Sequence, residues 1–170
     1  HPHRTPARPA QELLPEGVPA EVFADDDGFT RAPAILTWVP GGIDPASLPG
    51  LATTITDDSP VQVLRLPDLQ PVPTLVEIDQ TAIDVRVQAL IVRPQITLAP
   101  DTGYVVLLTD GLRTLTGEAP AVSEAFRALR DDLPSDNDTV EQQRTSYAEV
   151  RRAIAERGLE PSSVVQGWSF

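Results

Sequence analysis

Proline constrains the fold of this chain more than any other residue type. Eighteen of its 170 residues are proline, and they divide the apolar stretches into short runs. Proline lacks the backbone N–H that a helix interior or a central strand needs, so long uninterrupted helices are disfavoured. Short apolar runs bounded by proline and glycine are typical of β-strands joined by turns. The pattern therefore predicts a mainly β fold, either a sandwich or a barrel.

Six strands are predicted from these runs. The first, at Ala34–Val39, is apolar on both faces, which predicts a place in the middle of a sandwich. The others are predicted at Val61–Leu66, Thr74–Ile78, Val85–Val92, Tyr104–Thr109 and Ser163–Phe170. Because the chain has few aromatic residues, its core must consist mainly of valine, leucine and isoleucine, which suit strands.

Two helices are predicted before the last strand, in an insertion at about residues 123–158. The first covers Ser123–Asp131 and the second covers Thr139–Arg157. Thr139 and Gln142 have the spacing of a capping box, and Gly158 is placed to end the second helix. One apolar stripe follows this helix, formed by Val140, Tyr147, Val150 and Ile154. We expect the stripe to pack on the sheets.

The ionisable residues exclude several classes of function. The net charge is −12 and every basic residue is arginine, so nucleic acids and anionic membrane surfaces would be repelled. There is no cysteine, and the only histidines are His1 and His3. The predicted folded body therefore has no imidazole or thiol for proton relay or nucleophilic attack. We expect no catalytic residue, no cofactor and no membrane span.

Residues 1–20 are predicted to form an extended arm, because they contain five prolines. Residues 21–170 would then form one domain. This length is ordinary for a domain with a single hydrophobic core.

Two acidic clusters carry oxygen ligands of the kind that calcium binds. One contains Asp25 and Asp27, and the other contains Asp136 and Asp138. Neither has EF-hand spacing, since Val140 takes the third ligand position of the second cluster. A turn at the first cluster and a helix cap at the second account for both without a metal, and we favour that interpretation.

Two other kinds of site can be weighed from the sequence. Trp38 and Trp168 could line a ligand-binding surface, but each lies in a strand-like segment, which favours a place in the core. A pair of carboxylates could hydrolyse glycosides. However, no aromatic sugar platform adjoins any such pair in the sequence, and this alternative ranks last.

Two local motifs resemble those of known domains. Leu98, Pro100, Thr102 and Tyr104 form an L-x-P-x-T-x-Y pattern that enters a predicted strand. The proline stiffens the corner, while the tyrosine ring can pack inward and its hydroxyl can bond back to the turn. This pattern resembles fibronectin-type and bacterial Ig-like domains.

The second motif is a single helical turn that Asp44 is placed to cap, with Pro45 at its first position. It resembles the D-P-x-S-L turn of the bacterial Ig-like domains named after an S-layer protein. Further likeness extends over Asp110–Arg113, Phe126–Asp131 and the last strand with Trp168. Together these segments resemble the amino-terminal domain of secreted bacterial lipases and related exported α/β-hydrolases.

This resemblance implies an Ig-like β-sandwich with a helical insertion of two helices before the last strand. It also implies a non-catalytic accessory domain of an exported bacterial protein, secreted or in the cell envelope. Such a domain would precede a lipase- or esterase-like hydrolase, and it carries over no catalytic residue. Its partner would be the neighbouring catalytic domain. The alternative is an independent extracellular module that binds a glycan, the cell wall or a protein.

Overall fold

The computed structural model describes residues 30–170. The proposed arm at residues 1–20 and the candidate ligands Asp25 and Asp27 lie outside the described residues. Within the described part, Ala32–Phe170 form one compact unit. Its strands are β1 Ile35–Thr37, β2 Val61–Arg65, β3 Gln70–Pro71, β4 Thr74–Ile78, β5 Leu90–Pro94, β6 Tyr104–Thr109 and β7 Val164–Ser169. Its α-helices are α1 Glu124–Arg130, α2 Asp138–Gln143 and α3 Ala148–Glu156.

The strands form two antiparallel sheets, which confirms the prediction of a mainly β fold. One sheet has the order β1-β5-β4, and the other has the order β3-β2-β6-β7. Both sheets contribute to one hydrophobic cluster, in which Val76 and Val92 of the first sheet join Val63, Val106 and Leu108 of the second. This shared core makes the arrangement consistent with a sandwich.

The helices cover the other face of the four-stranded sheet. Alternate residues of β6 point to opposite faces, so Val105 and Leu107 belong to a second cluster with Val150 and Ile154 of α3. Gly167 in β7 permits this close packing, because a Cβ there would lie 3.2 Å from Val150 Cγ1. Every residue of β6 is consequently buried.

The first helix forms nearly as predicted. Ser123 caps it, since its Oγ accepts a hydrogen bond of 3.1 Å from the Phe126 N–H. Such caps satisfy a backbone donor that the first turn of a helix leaves free.

The prediction of one long second helix is wrong, because α2 and α3 are separate helices. Asn137, rather than Thr139, caps α2, with 2.9 Å between Asn137 Oδ1 and the Thr139 nitrogen. After α2 ends, Ser146 Oγ donates to the Gln143 carbonyl at 2.7 Å. Serine and threonine side chains that bond the backbone in this way compete with helix formation. The insertion therefore contains three helices.

The end of α3 agrees with the prediction for Gly158. This glycine has a φ of +64°, in the left-handed region that favours glycine. Its N–H and that of Leu159 donate to carbonyls of the last helical turn, at 3.1 Å to Ala155 and 3.0 Å to Ile154.

Two strand predictions need correction, and one strand was not predicted. The segment at Ala34–Val39 is an edge strand rather than a central one, and Leu36 is 62% exposed. The predicted strand at Val85–Val92 begins as a 3-10 turn at Val85–Val87, capped by Asp84, and β5 starts only at Leu90. The short β3, which contains Pro71, was not predicted because proline rarely sits within a sheet.

Candidate functional site

The residues of the two resembling motifs build structural corners. Asp44 Oδ1 accepts from the Ala46 N–H at 2.9 Å, and Pro45 is the first residue of a 3-10 turn, as predicted. The Tyr104 ring is buried, and its hydroxyl accepts from the Ala99 N–H at 2.9 Å. These contacts satisfy the polar groups that the corners bring close to the core.

The remaining residues of the tyrosine motif support the same corner. Leu98 is buried in the core that both sheets share. The Thr102 hydroxyl donates to the Pro100 carbonyl at 2.8 Å. The Tyr104 ring stacks on Phe170 with 5.7 Å between the ring centroids. The motif thus fixes the path of the chain into β6.

Asp136 and Asp138 lie where α2 begins. Asp138 is the first residue of the helix, and the adjacent Asn137 side chain supplies the cap. Carboxylates at a helix N-terminus are favoured by the helix dipole. Among residues 30–170, no three histidine, cysteine, aspartate or glutamate side chains are grouped as metal ligands.

A groove lies between the edges of the two sheets and the helical insertion. We call it the β1–β7 groove, and its volume is about 630 Å³. It is lined by β1 and the residues after it, by β7, and by α1 and α2. The larger side chains along it are Leu36, Trp38, Phe126, Val140, Tyr147 and Trp168.

One hydrogen bond joins the two sheet edges in the groove. Gln166 Nε2 of β7 donates to Thr37 Oγ1 of β1 at 2.8 Å. The bond fixes the two edges against each other, although each belongs to a different sheet. The groove is therefore a feature of the folded sandwich rather than of one segment.

The groove is uncharged, which is unusual on a chain with a net charge of −12. Among the described residues that line it, none is aspartate, glutamate, arginine, lysine or histidine. Its one phenol belongs to Tyr147, whose pKa is raised by burial, so that it stays neutral near pH 7. Asn137, Thr139, Gln143 and Gln166 supply neutral hydrogen-bonding groups. A ligand held here would be bound by apolar contact and neutral hydrogen bonds.

Some backbone groups of β7 point away from its partner strand β6. Tyr104 and Phe170 exchange two hydrogen bonds, of 2.9 and 3.0 Å, between their backbones. Because bonded and non-bonded pairs alternate along antiparallel strands, Gly167 and Ser169 direct their backbone groups away from β6. Among the described residues, β7 is the last strand of its sheet, and it contains no charged residue and no proline, which are the usual protections of a sheet edge.

Arg130 of α1, next to the groove residue Leu129, has a structural role. Its side chain is 6% exposed and is paired with Asp131 at 2.6 Å. It also donates to the Val164 carbonyl at 2.8 Å, which ties α1 to the start of β7. The hydrogen bond from Arg130 lowers the pKa of the Asp131 carboxyl.

The sequence did not predict the exposure of Trp38. Its side chain was expected in the core, but it is 51% exposed and its indole N–H donates to the Arg86 carbonyl at 3.2 Å. The turn at Pro40, two residues after Trp38, is the sequence signal that could have indicated this position, because β1 already ends at Thr37. Trp168 agrees better with the prediction, because it is half-buried and packs against the core.

Comparison with protein-family models gives no match, and comparison with curated proteins gives none either. In the described part of the chain, the helices are too short and too polar to traverse a bilayer.

Proposed function

We propose that this chain is a non-catalytic interaction domain of an exported bacterial protein, and that it precedes a lipase- or esterase-like hydrolase domain. The observation that carries the proposal is the uncharged β1–β7 groove beside the outer edge of β7, an edge that pairs with no strand among residues 30–170. An apolar surface beside such an edge suits an extended polypeptide, which can add a strand to it. A segment of the neighbouring domain would be the occupant.

The strand order supports an Ig-like fold for this domain. In such folds one sheet contains strands B, E and D, and the other contains C, F and G, to which C′ can be added. The sheets β1-β5-β4 and β3-β2-β6-β7 follow these orders. The buried Tyr104 at the start of β6 then occupies the position of the tyrosine corner on strand F.

The carboxylates support a non-catalytic role. A general acid near neutral pH needs a raised pKa. The pKa values of Asp131 and Glu141 are lowered instead, chiefly because Arg130 and Arg144 donate hydrogen bonds to their carboxylates. Carboxylates of this kind are held as anions in ion pairs, which suits a structural role.

The proposal predicts that the 170-residue chain does not hydrolyse p-nitrophenyl acetate or butyrate. A longer form with the following domain should hydrolyse them. Turnover by the short form that persists through repurification would contradict the non-catalytic assignment.

Docking in the groove is tested by Leu36→Asp in the longer form, because this change places a charge in an uncharged groove. In the Leu36→Asp variant, we expect the amides of β7 to be less protected from hydrogen exchange than they are in the unmodified longer form. Ile55→Asp is the matched control, since Ile55 is an exposed apolar residue that does not line the groove. Equal protection in both variants would contradict docking at this site.

A second function is favoured by the polar lining of the same groove. Trp38 and Tyr147 offer aromatic faces, while Asn137 and Gln143 offer amides, a combination that suits a neutral glycan or cell-wall ligand. This alternative predicts that the isolated chain co-sediments with insoluble cell-wall material. Trp38→Ala should abolish the binding, and unchanged binding would exclude the groove.

A further inference from the structure

A second apolar surface lies on the loop that joins β4 to β5. The loop is closed at its base by the Asp79 N–H, which donates to the Ala89 carbonyl at 2.9 Å. Ile83 is fully exposed at this loop, and about half of Val85 and Val87 is exposed. Exposed apolar clusters of this kind mark surfaces that contact a partner or a membrane.

Two residues from elsewhere in the chain extend this surface. Trp38 reaches the loop through its indole N–H, which donates to the Arg86 carbonyl. Leu115 also lies next to the loop, since Leu115 and Val85 both contact Gly42. A Cβ placed on Gly42 would lie 2.9 Å from Leu115 Cδ1 and 2.7 Å from the Val85 carbonyl oxygen. We call this surface the apical patch, formed by Trp38, Ile83, Val85, Val87 and Leu115.

The apical patch lies at the end of the sheets away from Phe170. Thr37 pairs with Leu90 next to the loop, whereas Ile35 pairs with Val92 farther from it. Phe170 bonds to Tyr104 at the opposite end of β6 from the turn that leads to Leu115. A domain joined after Phe170 would therefore be attached at the opposite end of the sheets from the patch. Of the patch residues, Trp38 also lines the β1–β7 groove.

The charges of the patch limit what can cover it. Asp84 and Arg86 are paired by two hydrogen bonds of 3.0 and 2.8 Å, so the tip of the loop carries no net charge. An anionic bilayer would repel a chain with a net charge of −12, and a second copy of the chain would do the same. A neutral surface has no such penalty.

The shape of the patch also favours a lipid bilayer over a protein partner. A stable protein interface needs about 800 Å² from each partner with good shape complementarity. Ile83 instead is fully exposed within a run of five exposed residues, Ile83–Val87, which includes two half-exposed valines. An exposed apolar loop with a tryptophan beside it suits the interface of a lipid bilayer, which adapts to the shape that enters it.

We propose that the apical patch inserts into the headgroup region of a zwitterionic phospholipid bilayer. Ile83 would enter deepest, while Trp38 would lie at the level of the headgroups. The contact depends on apolar burial and owes nothing to attraction between charges, so it should be insensitive to salt.

The test measures co-sedimentation of the full chain with sucrose-loaded phosphatidylcholine vesicles. We expect binding that rises with lipid concentration, together with a blue shift of tryptophan emission. Ile83→Asp should lower the partition coefficient at least about tenfold, since it replaces a buried apolar side chain with a charge. Ile96→Asp is the matched control, because Ile96 is also exposed but follows β5 at the other end of the sheet.

Several results would overturn the proposal. One is the absence of binding at millimolar phosphatidylcholine, and another is an equal loss of binding in the Ile96→Asp control. Binding that requires anionic lipid would show attraction by charge instead. Self-association in lipid-free solution that Ile83→Asp abolishes would assign the patch to a second copy of the chain. Circular dichroism confirms that each variant is folded before it is tested.

Discussion

Replacing Arg130 with methionine tests how the helical insertion is held on the sheets. Arg130 is buried, and it links the end of α1 to the start of β7. Its guanidinium forms two hydrogen bonds to Asp131, of 2.6 and 2.8 Å, and one of 2.8 Å to the Val164 carbonyl at the start of β7. Methionine keeps most of the apolar stem but removes every donor.

The cost of Arg130→Met follows from the surroundings of each partner. Val164 is fully buried, so its carbonyl would lose this donor at a cost of about 1–3 kcal/mol. The guanidinium lies 6.0 Å from the centroid of the Phe126 ring, a contact that contributes about 0.5–1 kcal/mol. Asp131 is 26% exposed and can be hydrated, so it adds little. We expect a loss of about 2–4 kcal/mol in the free energy of unfolding.

Arg93→Met is the matched control for this prediction. Arg93 pairs with Glu77 at 2.6 Å, the same distance as in the Arg130 pair, but the side chains of Arg93 and Glu77 are both more than two-fifths exposed. An exposed pair contributes less than about 1 kcal/mol. Arg130→Lys should give an intermediate loss, because lysine keeps the charge but lacks the planar fork.

Urea unfolding followed by circular dichroism gives the midpoint and the slope for each variant. A change in midpoint at constant slope reports a change in stability. The reasoning would be refuted if Arg130→Met cost no more than Arg93→Met. A separate check is the pKa of the Asp131 carboxyl, which should rise in Arg130→Met because the first cause of its lowering is removed.

Three further predictions follow from local contacts. Tyr104→Phe keeps the ring but removes the acceptor of a backbone N–H, so thermal unfolding should show a loss of about 0.5–1.5 kcal/mol; an unchanged midpoint would mean that water replaces the hydroxyl. Asn137→Ala should cost about 1 kcal/mol and reduce hydrogen-exchange protection in α2, whereas Thr139→Ala should not, and the reverse order would make Thr139 the cap. The pKa of Asp84 should be about 2 instead of 3.8, chiefly because the Arg86 side chain donates to it. This lowered pKa stabilises the fold above the unfolded pKa, and the contribution is lost as the pH falls through about 2. Carbon-detected NMR titration measures it, and a value near 3.8 would contradict the ion pair at the loop.

Local patterns were sufficient to place several elements of the fold. Two predicted strands, Thr74–Ile78 and Tyr104–Thr109, have the predicted bounds, since proline and glycine delimit each apolar run. Ser123 and Gly158 mark helix ends as expected, because capping depends only on neighbouring residues. The break between α2 and α3 was missed, since the apolar stripe continues through it while Ser146 bonds the backbone instead.

The β1–β7 groove could not be predicted from local sequence patterns. Thr37 and Gln166, whose side chains join the two edges of the groove, are 129 residues apart in the chain. The apolar pattern of Ala34–Val39 predicted burial on both faces, but burial depends on whether other segments pack against each face. Here β1 lies at a sheet edge, so Leu36 and Trp38 remain exposed.

The sequence by itself determined where several strands, turns and helix ends form, and that the chain lacks cysteine and has histidine only at positions 1 and 3. These properties depend on residue chemistry and on neighbours a few positions away. The tertiary structure alone decided which apolar side chains are covered and which form the groove and the apical patch. The exposure of a side chain depends on the packing of distant segments, so it cannot be predicted from the periodicity of apolar residues along the chain.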